Sequence, residues 1–144
     1  MFSGLFAFLG RLMLALIFVL GGLMKLGDPA GTGQYMATVG LSPALAIPAG
    51  LFELIGGLCI ALGIFTRLWA FLLAGFCLVT ALLFHRNFAD PMQATMALKN
   101  IAMAGGFLCL FAYNQASWSF DSYRARRKAE LERVPAEHPA TGAG

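Results

Sequence analysis

The residues of this chain that could do chemistry are ionisable groups placed inside apolar runs. Glu53, Lys99 and the adjacent Asn100 are flanked on both sides by hydrophobic residues, and Arg11 has a similar setting. A carboxylate, an ammonium and an amide can hold one another by charge-assisted hydrogen bonds, or they can bind a proton, an ion or a polar ligand. Which of these they do depends on the elements that carry them.

The composition indicates a membrane protein of one domain. Of 144 residues, 59% are hydrophobic and 12% are charged, and the mean hydropathy is +0.75. A soluble domain of this size needs more polar surface. The net charge of +3 does not indicate a nucleic-acid partner, because half of the cations lie in one tail among glutamates. No zinc, phosphate-loop or basic–aromatic spacing is present in the sequence, so we expect neither a metal nor a nucleic acid. The tail cations are Arg124, Arg126, Arg127, Lys128 and Arg133.

Four apolar segments are long enough to cross a bilayer, which takes about 20 helical residues. They cover approximately residues 3–24, 44–65, 68–84 and 92–113. The sequence therefore predicts an all-α fold, an integral membrane four-helix bundle in which neighbouring helices are antiparallel. We expect this domain to cover residues 1–116 and a charged, disordered cytoplasmic tail to cover 117–144.

Two connecting features leave alternatives open. The segment 33–41, within a connection rich in Gly and Pro, could form a short interfacial or re-entrant piece. Residues 12–24 resemble the apolar region of a signal peptide, but no cleavage site of small residues follows them.

The distribution of cations predicts the orientation of the chain in the membrane. With four spans, the N-terminus, the 66–67 turn and the tail share one side, which holds Arg67 and the five tail cations. The opposite side holds Lys25 and Arg86, next to His85. Because cytoplasmic loops carry the excess of Lys and Arg, both termini are expected to be cytoplasmic. Lys25, Arg67, His85 and Arg86 are expected at interfaces or in loops.

The lengths of three apolar runs place Arg11, Glu53 and Lys99 inside the membrane. The runs that follow these residues, 12–24, 54–66 and 101–113, are each 13 residues long. Such a run spans about 20 Å of helix, too little for a hydrocarbon core of about 30 Å. Each span must therefore include its ionisable residue.

Glu53 and Lys99 are expected to pair, because they lie at the same depth on helices that run in the same direction. The pair, with Asn100, could simply pin two helices together, or it could line a polar cavity for a ligand, a proton or an ion. Arg11 could extend to the lipid headgroups or turn inward and make the cluster positive, which would favour an anionic or quinone-like guest.

Small residues in the spans predict close helix packing. Glycine doublets at 21–22, 56–57 and 105–106 occur in the three spans that carry a charge, and small residues let membrane helices approach one another. Cys59, Cys77 and Cys109 are interpreted as small packed side chains. Cys59 and Cys109 could lie at similar depth, which leaves a redox pair open.

In order and spacing, four stretches resemble the DoxX family of small bacterial inner-membrane proteins, over about residues 8–112. They are GRLMLALIFVLGGLMKLGD, ELIGGLCIALGIFTRLWA, LLFHR and MALKNIAMAGGF. The resemblance implies a four-helix membrane bundle and an association with quinone-linked sulfur oxidation and membrane redox complexes. It places Arg11, Lys25, Glu53, Arg67, Lys99 and Asn100 at the polar positions of the family.

Three functions are compatible with these residues. The chain could be a membrane subunit that docks a redox or biosynthetic protein partner, with no catalytic motif of its own. It could bind a quinone or another small molecule at the polar cluster. It could be a small transporter, for which four helices would require a homo-oligomer. No covalently bound cofactor is expected, and a quinone could bind non-covalently.

Overall fold

The computed structural model describes residues 2–113 and 119–133 and, among these, is helical apart from short connections. Among the described residues, four helices are long and apolar enough to cross a membrane, so the predicted all-α fold with four spans is confirmed. The helices are α1 (Phe2–Gly27), α2 (Pro29–Ala37), α3 (Ala46–Leu62), α4 (Thr66–Phe84), α5 (Pro91–Ala112) and α6 (Phe120–Arg133), and a 3-10 turn (Pro43–Leu45) precedes α3.

The helix starts follow from capping residues. The side chain of Asp28 accepts a hydrogen bond from Gly31 N at 2.9 Å and begins α2, and Asp90 accepts one from Met92 N at 2.9 Å and begins α5. A proline follows each aspartate at the first helical position, where its missing N–H costs no bond. The segment 33–41, for which a short interfacial or re-entrant piece was considered, overlaps this helix, which begins at Pro29 and ends at Ala37.

The helix α1 packs against α3 along glycines that allow the two backbones to approach. A Cβ atom on Gly22 would lie 2.6 Å from the backbone nitrogen of Leu54 and 2.7 Å from the carbonyl oxygen of Gly50. A Cβ atom on Gly57 would lie 2.9 Å from the backbone nitrogen of Val19. Side chains at these glycines would therefore force the helices apart. The helices α4 and α5 form the second closely packed pair.

The two helix pairs share one apolar core, which includes Phe18, Ile60, Leu73 and Phe107. The rings of Phe18 and Phe107 meet edge to face with centroids 5.3 Å apart. Between 22% and 33% of the residues in each apolar span are buried. The outward faces therefore expose hydrophobic side chains to the hydrocarbon of the bilayer.

The helix α6 (Phe120–Arg133) lies within the tail that was expected to be disordered. Ser119 and Ser122 exchange backbone-to-side-chain hydrogen bonds at the start of this helix, which satisfies N–H groups that would otherwise lack partners. Residues 120–133 are rich in Ala, Arg, Lys and Glu, which favour helix. The remainder of the predicted disordered tail, 134–144, lies outside the described residues.

The carboxylate of Asp121 attaches α6 to the start of α4. It accepts hydrogen bonds from the backbone N–H groups of Phe65 (3.1 Å) and Thr66 (2.9 Å) and from the hydroxyl of Thr66 (2.9 Å). An aspartate distant in sequence thus caps the N-terminus of a spanning helix, where negative charge is stabilised. Because of this contact, α6 lies at the end of the molecule formed by the turn between α3 and α4.

Candidate functional site

A cavity of about 600 Å³ lies between the α1–α3 pair and the α4–α5 pair, and residues of α2 line it as well. Most of the lining residues are apolar, including Phe52, Phe76 and Leu83. A small number of polar side chains lie among them. The polar lining consists of Lys25, Thr32, Tyr35, Glu53, Thr80, His85, Lys99 and Asn100.

The ion pair in this cavity joins Glu53 to Lys25. The Nζ atom of Lys25 donates to Oε2 of Glu53 at 3.0 Å, and the side chains are 30% and 7% exposed respectively. The prediction that Glu53 pairs with Lys99 is therefore wrong. Lys25, which was expected at an interface or in a loop, lies in the last turn of α1 and also lines the cavity.

Helix packing explains why Glu53 pairs with Lys25 and not with Lys99. The depth argument compared α3 only with α5, whereas α3 packs on the antiparallel α1. At the contact, a Cβ atom on Gly21 would lie 2.8 Å from Oε2 of Glu53 and 3.8 Å from Nζ of Lys25. The missing side chain at Gly21 therefore leaves room for the pair, one turn of helix from Lys25.

Lys99 and Asn100 lie on the opposite wall of the same cavity. The Nζ atom of Lys99 donates to the thioether of Met96 at 3.4 Å, and the Lys99 side chain is exposed. Asn100 is 9% exposed and its Nδ2 atom donates to the hydroxyl of Thr80 at 3.4 Å. The structure thus brings Glu53, Lys99 and Asn100 to one cavity, as expected, but without a hydrogen bond from Lys99 to Glu53.

Arg11 does not belong to this cavity, so both expected placements of Arg11 are wrong. The residue is 3% exposed, with its guanidinium 5.5 Å from the ring centroid of Phe8. A Cβ atom on Gly63 would lie 2.8 Å from its Nη1 atom, and its charge interacts with that of Asp121. Because α6 covers this end of the molecule, Arg11 faces protein rather than lipid headgroups or the cavity.

The other predicted interfacial residues separate into two groups. Arg67 is exposed and its guanidinium lies 5.0 Å from the ring centroid of Phe111, while Nε of Arg86 donates to the carbonyl of Leu82 at 2.7 Å. His85 lines the cavity instead, and its Nδ1 atom lies 2.9 Å from Oε1 of Gln93.

Sequence analysis did not assign Tyr35, Thr80 or Lys25 to the site, although all three line the cavity. Tyr35 is on α2 and stacks on Phe84 with centroids 5.1 Å apart, and Thr80 is the hydroxyl partner of Asn100. The signal for Lys25 was present, because it follows the glycine doublet of α1 within one turn. Nothing in the local sequence indicated Tyr35 or Thr80.

The three cysteines, all within the described residues, form no disulfide. Cys59, Cys77 and Cys109 are free thiols, and they are half-buried, buried and exposed respectively. Cys77 packs in the core and lines the cavity, in agreement with its interpretation as a small packed side chain.

Within residues 2–113 and 119–133, no three His, Cys, Asp or Glu side chains lie close enough together to hold a metal ion.

Four apolar helices around a largely apolar cavity define the class of this molecule: it is an integral membrane protein. The profile of the DoxX family matches residues 6–86, more than half of the chain. The chain therefore belongs to the DoxX family. The stretch MALKNIAMAGGF, which contains Lys99 and Asn100, lies beyond this match.

Two curated relatives from Escherichia coli match most of the chain. Inner membrane protein YqjF is 40% identical over 112 residues, which cover 77% of this chain and 85% of the relative. Inner membrane protein YphA is 35% identical over 120 residues, which cover 78% and 86% respectively. No solved structure matches the chain significantly.

Proposed function

We propose that this protein is an inner-membrane protein that binds a small amphipathic molecule in the cavity beside Lys25 and Glu53. The observation that carries the proposal is the cavity itself, with a volume of about 600 Å³. Ligand sites have volumes of roughly 300–1,000 Å³ and combine apolar walls with a few polar groups that orient the ligand. The names of both relatives support the location.

The position of the ion pair favours a ligand-binding role over a purely structural one. The side chain of Glu53 is 7% exposed, whereas that of Lys25 is 30% exposed. The ammonium has three N–H groups, and the bond to Glu53 uses one of them. Lys25 therefore has donors to offer to a molecule in the cavity while the buried carboxylate stays neutralised.

A quinone is one class of ligand with suitable chemistry. Its ring is apolar and would pack against aromatic walls such as Phe52 and Phe76, and its two carbonyl oxygens accept hydrogen bonds. Donors lie on two opposite walls, with Lys25 on α1 and Lys99 on α5. This arrangement supports the link to redox metabolism that the family resemblance implies.

A second candidate function is the docking of a redox or biosynthetic partner protein, and α6 supports it. The contact of Asp121 with the start of α4 holds this helix against the bundle. The exposed cations of α6 could then contact an acidic surface on the partner. These cations are Arg124, Arg126, Arg127 and Lys128.

Native mass spectrometry of the full chain after extraction in a mild non-ionic detergent tests ligand binding. We expect a small molecule retained by the wild-type protein and lost from Ala49→Trp, because Ala49 lines the cavity and an indole there would fill it. The matched control is Ala102→Trp, on an exposed position of α5 outside the cavity, which should keep the molecule.

Two results would count against a binding cavity. One is a wild-type protein that retains no small molecule under ionisation conditions mild enough to preserve non-covalent complexes. The other is equal retention by wild type and Ala49→Trp, which would place the molecule on the outer surface. Folding of both variants is checked by circular dichroism and gel filtration.

A further inference from the structure

The walls of the cavity carry an excess of positive charge. With His85 counted as neutral, the charged lining residues are Lys25, Lys99 and Glu53. The carboxylate of Glu53 is engaged by Lys25 at 3.0 Å. Lys99 therefore contributes a positive charge that no carboxylate of the cavity neutralises.

The carboxylates outside the cavity do not neutralise Lys99 either. Asp28 accepts from Gly31 N and Asp90 from Met92 N, so both cap helices, and Asp121 serves α4 at the opposite end. In the described part of the chain, ion pairs are formed by Lys25 with Glu53 and by Lys128 with Glu132. The hydrogen-bond acceptor of Lys99 is the thioether of Met96, which is a weak acceptor without charge.

The depth of Lys99 makes this lack of compensation costly. Lys99 lies eight positions after Pro91, the first residue of α5, which corresponds to about 12 Å of helix. A charged side chain at such a depth in a membrane is expensive, and it faces a partner, a water-filled space or a ligand. Lys99 faces the cavity.

We propose that the molecule bound in the cavity is an anionic amphiphile, whose carboxylate or phosphate head contacts Lys99 and whose apolar part lies along Phe52, Phe76 and Leu83. The inference rests on the proposed function and names its ligand class. A charge-assisted hydrogen bond from an ammonium to an anion is roughly twice as strong as one to a neutral acceptor. A neutral ligand, such as a quinone, would leave the ammonium uncompensated.

The same head group could belong to a lipid of the bilayer or to a small anion from water. The lining favours the lipid-like source, because apolar residues form most of the walls and a free inorganic ion would leave them in contact with water. A long apolar chain would cover these walls and add the free energy of their burial. The two sources differ in whether the soluble head group alone can compete.

Binding is tested with the full chain in non-ionic detergent micelles at pH 8. The probes are radiolabelled hexadecyl phosphate and palmitate, compared with hexadecanol, which has the same chain without the charge. We expect the more tightly bound of the two anions to have a Kd at least about tenfold lower than that of the alcohol. This ratio corresponds to about 1.4 kcal/mol of binding free energy. Inorganic phosphate and acetate serve as competitors without a chain.

Three variants assign the preference to Lys99. Lys99→Met should abolish the difference between anion and alcohol, and Lys99→Arg should keep it, because the charge remains. The matched control is Arg86→Met, which removes an exposed cation outside the cavity and should leave the preference unchanged. Lys99 is exposed, so these substitutions should not prevent folding.

The outcomes separate this inference from the proposed function. Equal affinity of wild type for anions and alcohol would overturn the anionic ligand and leave a cavity that binds amphiphiles regardless of charge. An anion preference that survives in Lys99→Met would also overturn it. If neither anions nor alcohol bind, and no molecule is retained in native mass spectrometry, the proposed function itself is wrong. Competition by phosphate or acetate at the same concentration would overturn the lipid-like source.

Discussion

Lys25 and Glu53 combine a short ion pair with unequal exposure, which sets what their substitution should do. Removing the ammonium would leave a carboxylate that is 7% exposed among apolar residues, and an uncompensated buried charge is strongly destabilising. Removing the carboxylate would leave a partly exposed ammonium that can reach water or lipid headgroups. Lys25→Met should therefore lower the free energy of unfolding more than Glu53→Gln does.

A double-mutant cycle identifies the partner of Glu53. We expect an interaction free energy of about 1–3 kcal/mol between Lys25→Met and Glu53→Gln, because the pair is hydrogen-bonded and largely buried. The matched cycle of Lys99→Met with Glu53→Gln should give a value near zero, because Lys99 does not bond to Glu53. The free energy of unfolding is measured by denaturant titration in mixed micelles. A larger coupling with Lys99 than with Lys25 would refute the pair described here.

At the scale of the element, the contact between α1 and α3 determines the site. Glycines let these two helices approach until backbone atoms are neighbours, and Gly21 leaves space for the carboxylate of Glu53. The same close approach brings Lys25 to Glu53. A wider separation of the helices would remove both the pair and this wall of the cavity.

The substitution Gly22→Ala tests this contact. Its Cβ atom would lie 2.6 Å from Leu54 N and 2.7 Å from Gly50 O, and backbone atoms cannot rotate away. We expect the protein to lose about 1–3 kcal/mol of stability, as for overpacking in a core. The loss is measured as a shift of the thermal unfolding curve in detergent.

The control for this substitution is Gly105→Ala in α5, where nothing lies within 4 Å of the added Cβ atom. Alanine is favoured over glycine in a helix by about 1 kcal/mol, so this variant should be as stable as the wild type or slightly more stable. If Gly105→Ala destabilised the protein as much as Gly22→Ala does, the close contact between α1 and α3 would not explain the loss of stability.

At the scale of the whole molecule, the two ends of the bundle have different characters. One end carries the cavity and α2. The other end carries Arg11, the turn between α3 and α4, and α6, which Asp121 holds in place. The helix that carries half of the Lys and Arg residues therefore lies at the same end as Arg67, and the proposed orientation depends on this grouping.

We predict that this cation-rich end is cytoplasmic, because positive residues are retained on that side. Green fluorescent protein fused after residue 144 should fluoresce, and alkaline phosphatase fused at the same position should be inactive. Fusions after Asn87, in the connection between α4 and α5, are the matched control and should behave in the opposite way. Active phosphatase at the C-terminus would reverse the orientation.

Apolar run lengths in the sequence alone were sufficient to predict the helices that span the membrane. Because a run of 13 residues cannot cross a bilayer, the same arithmetic placed Arg11, Glu53 and Lys99 inside the spans. Both conclusions depend on distance along one helix, which is a local property of the chain.

The tertiary structure alone decided which charges meet. Depth along a helix does not specify which helices are neighbours. Because α1 packs against α3, Glu53 forms its ion pair with Lys25 and not with Lys99. The burial of Arg11 depended on α6, which is distant in sequence and brings the charge of Asp121 to the same end of the molecule. Partners of buried charges follow from helix packing and close backbone approach, and these are properties of the folded molecule.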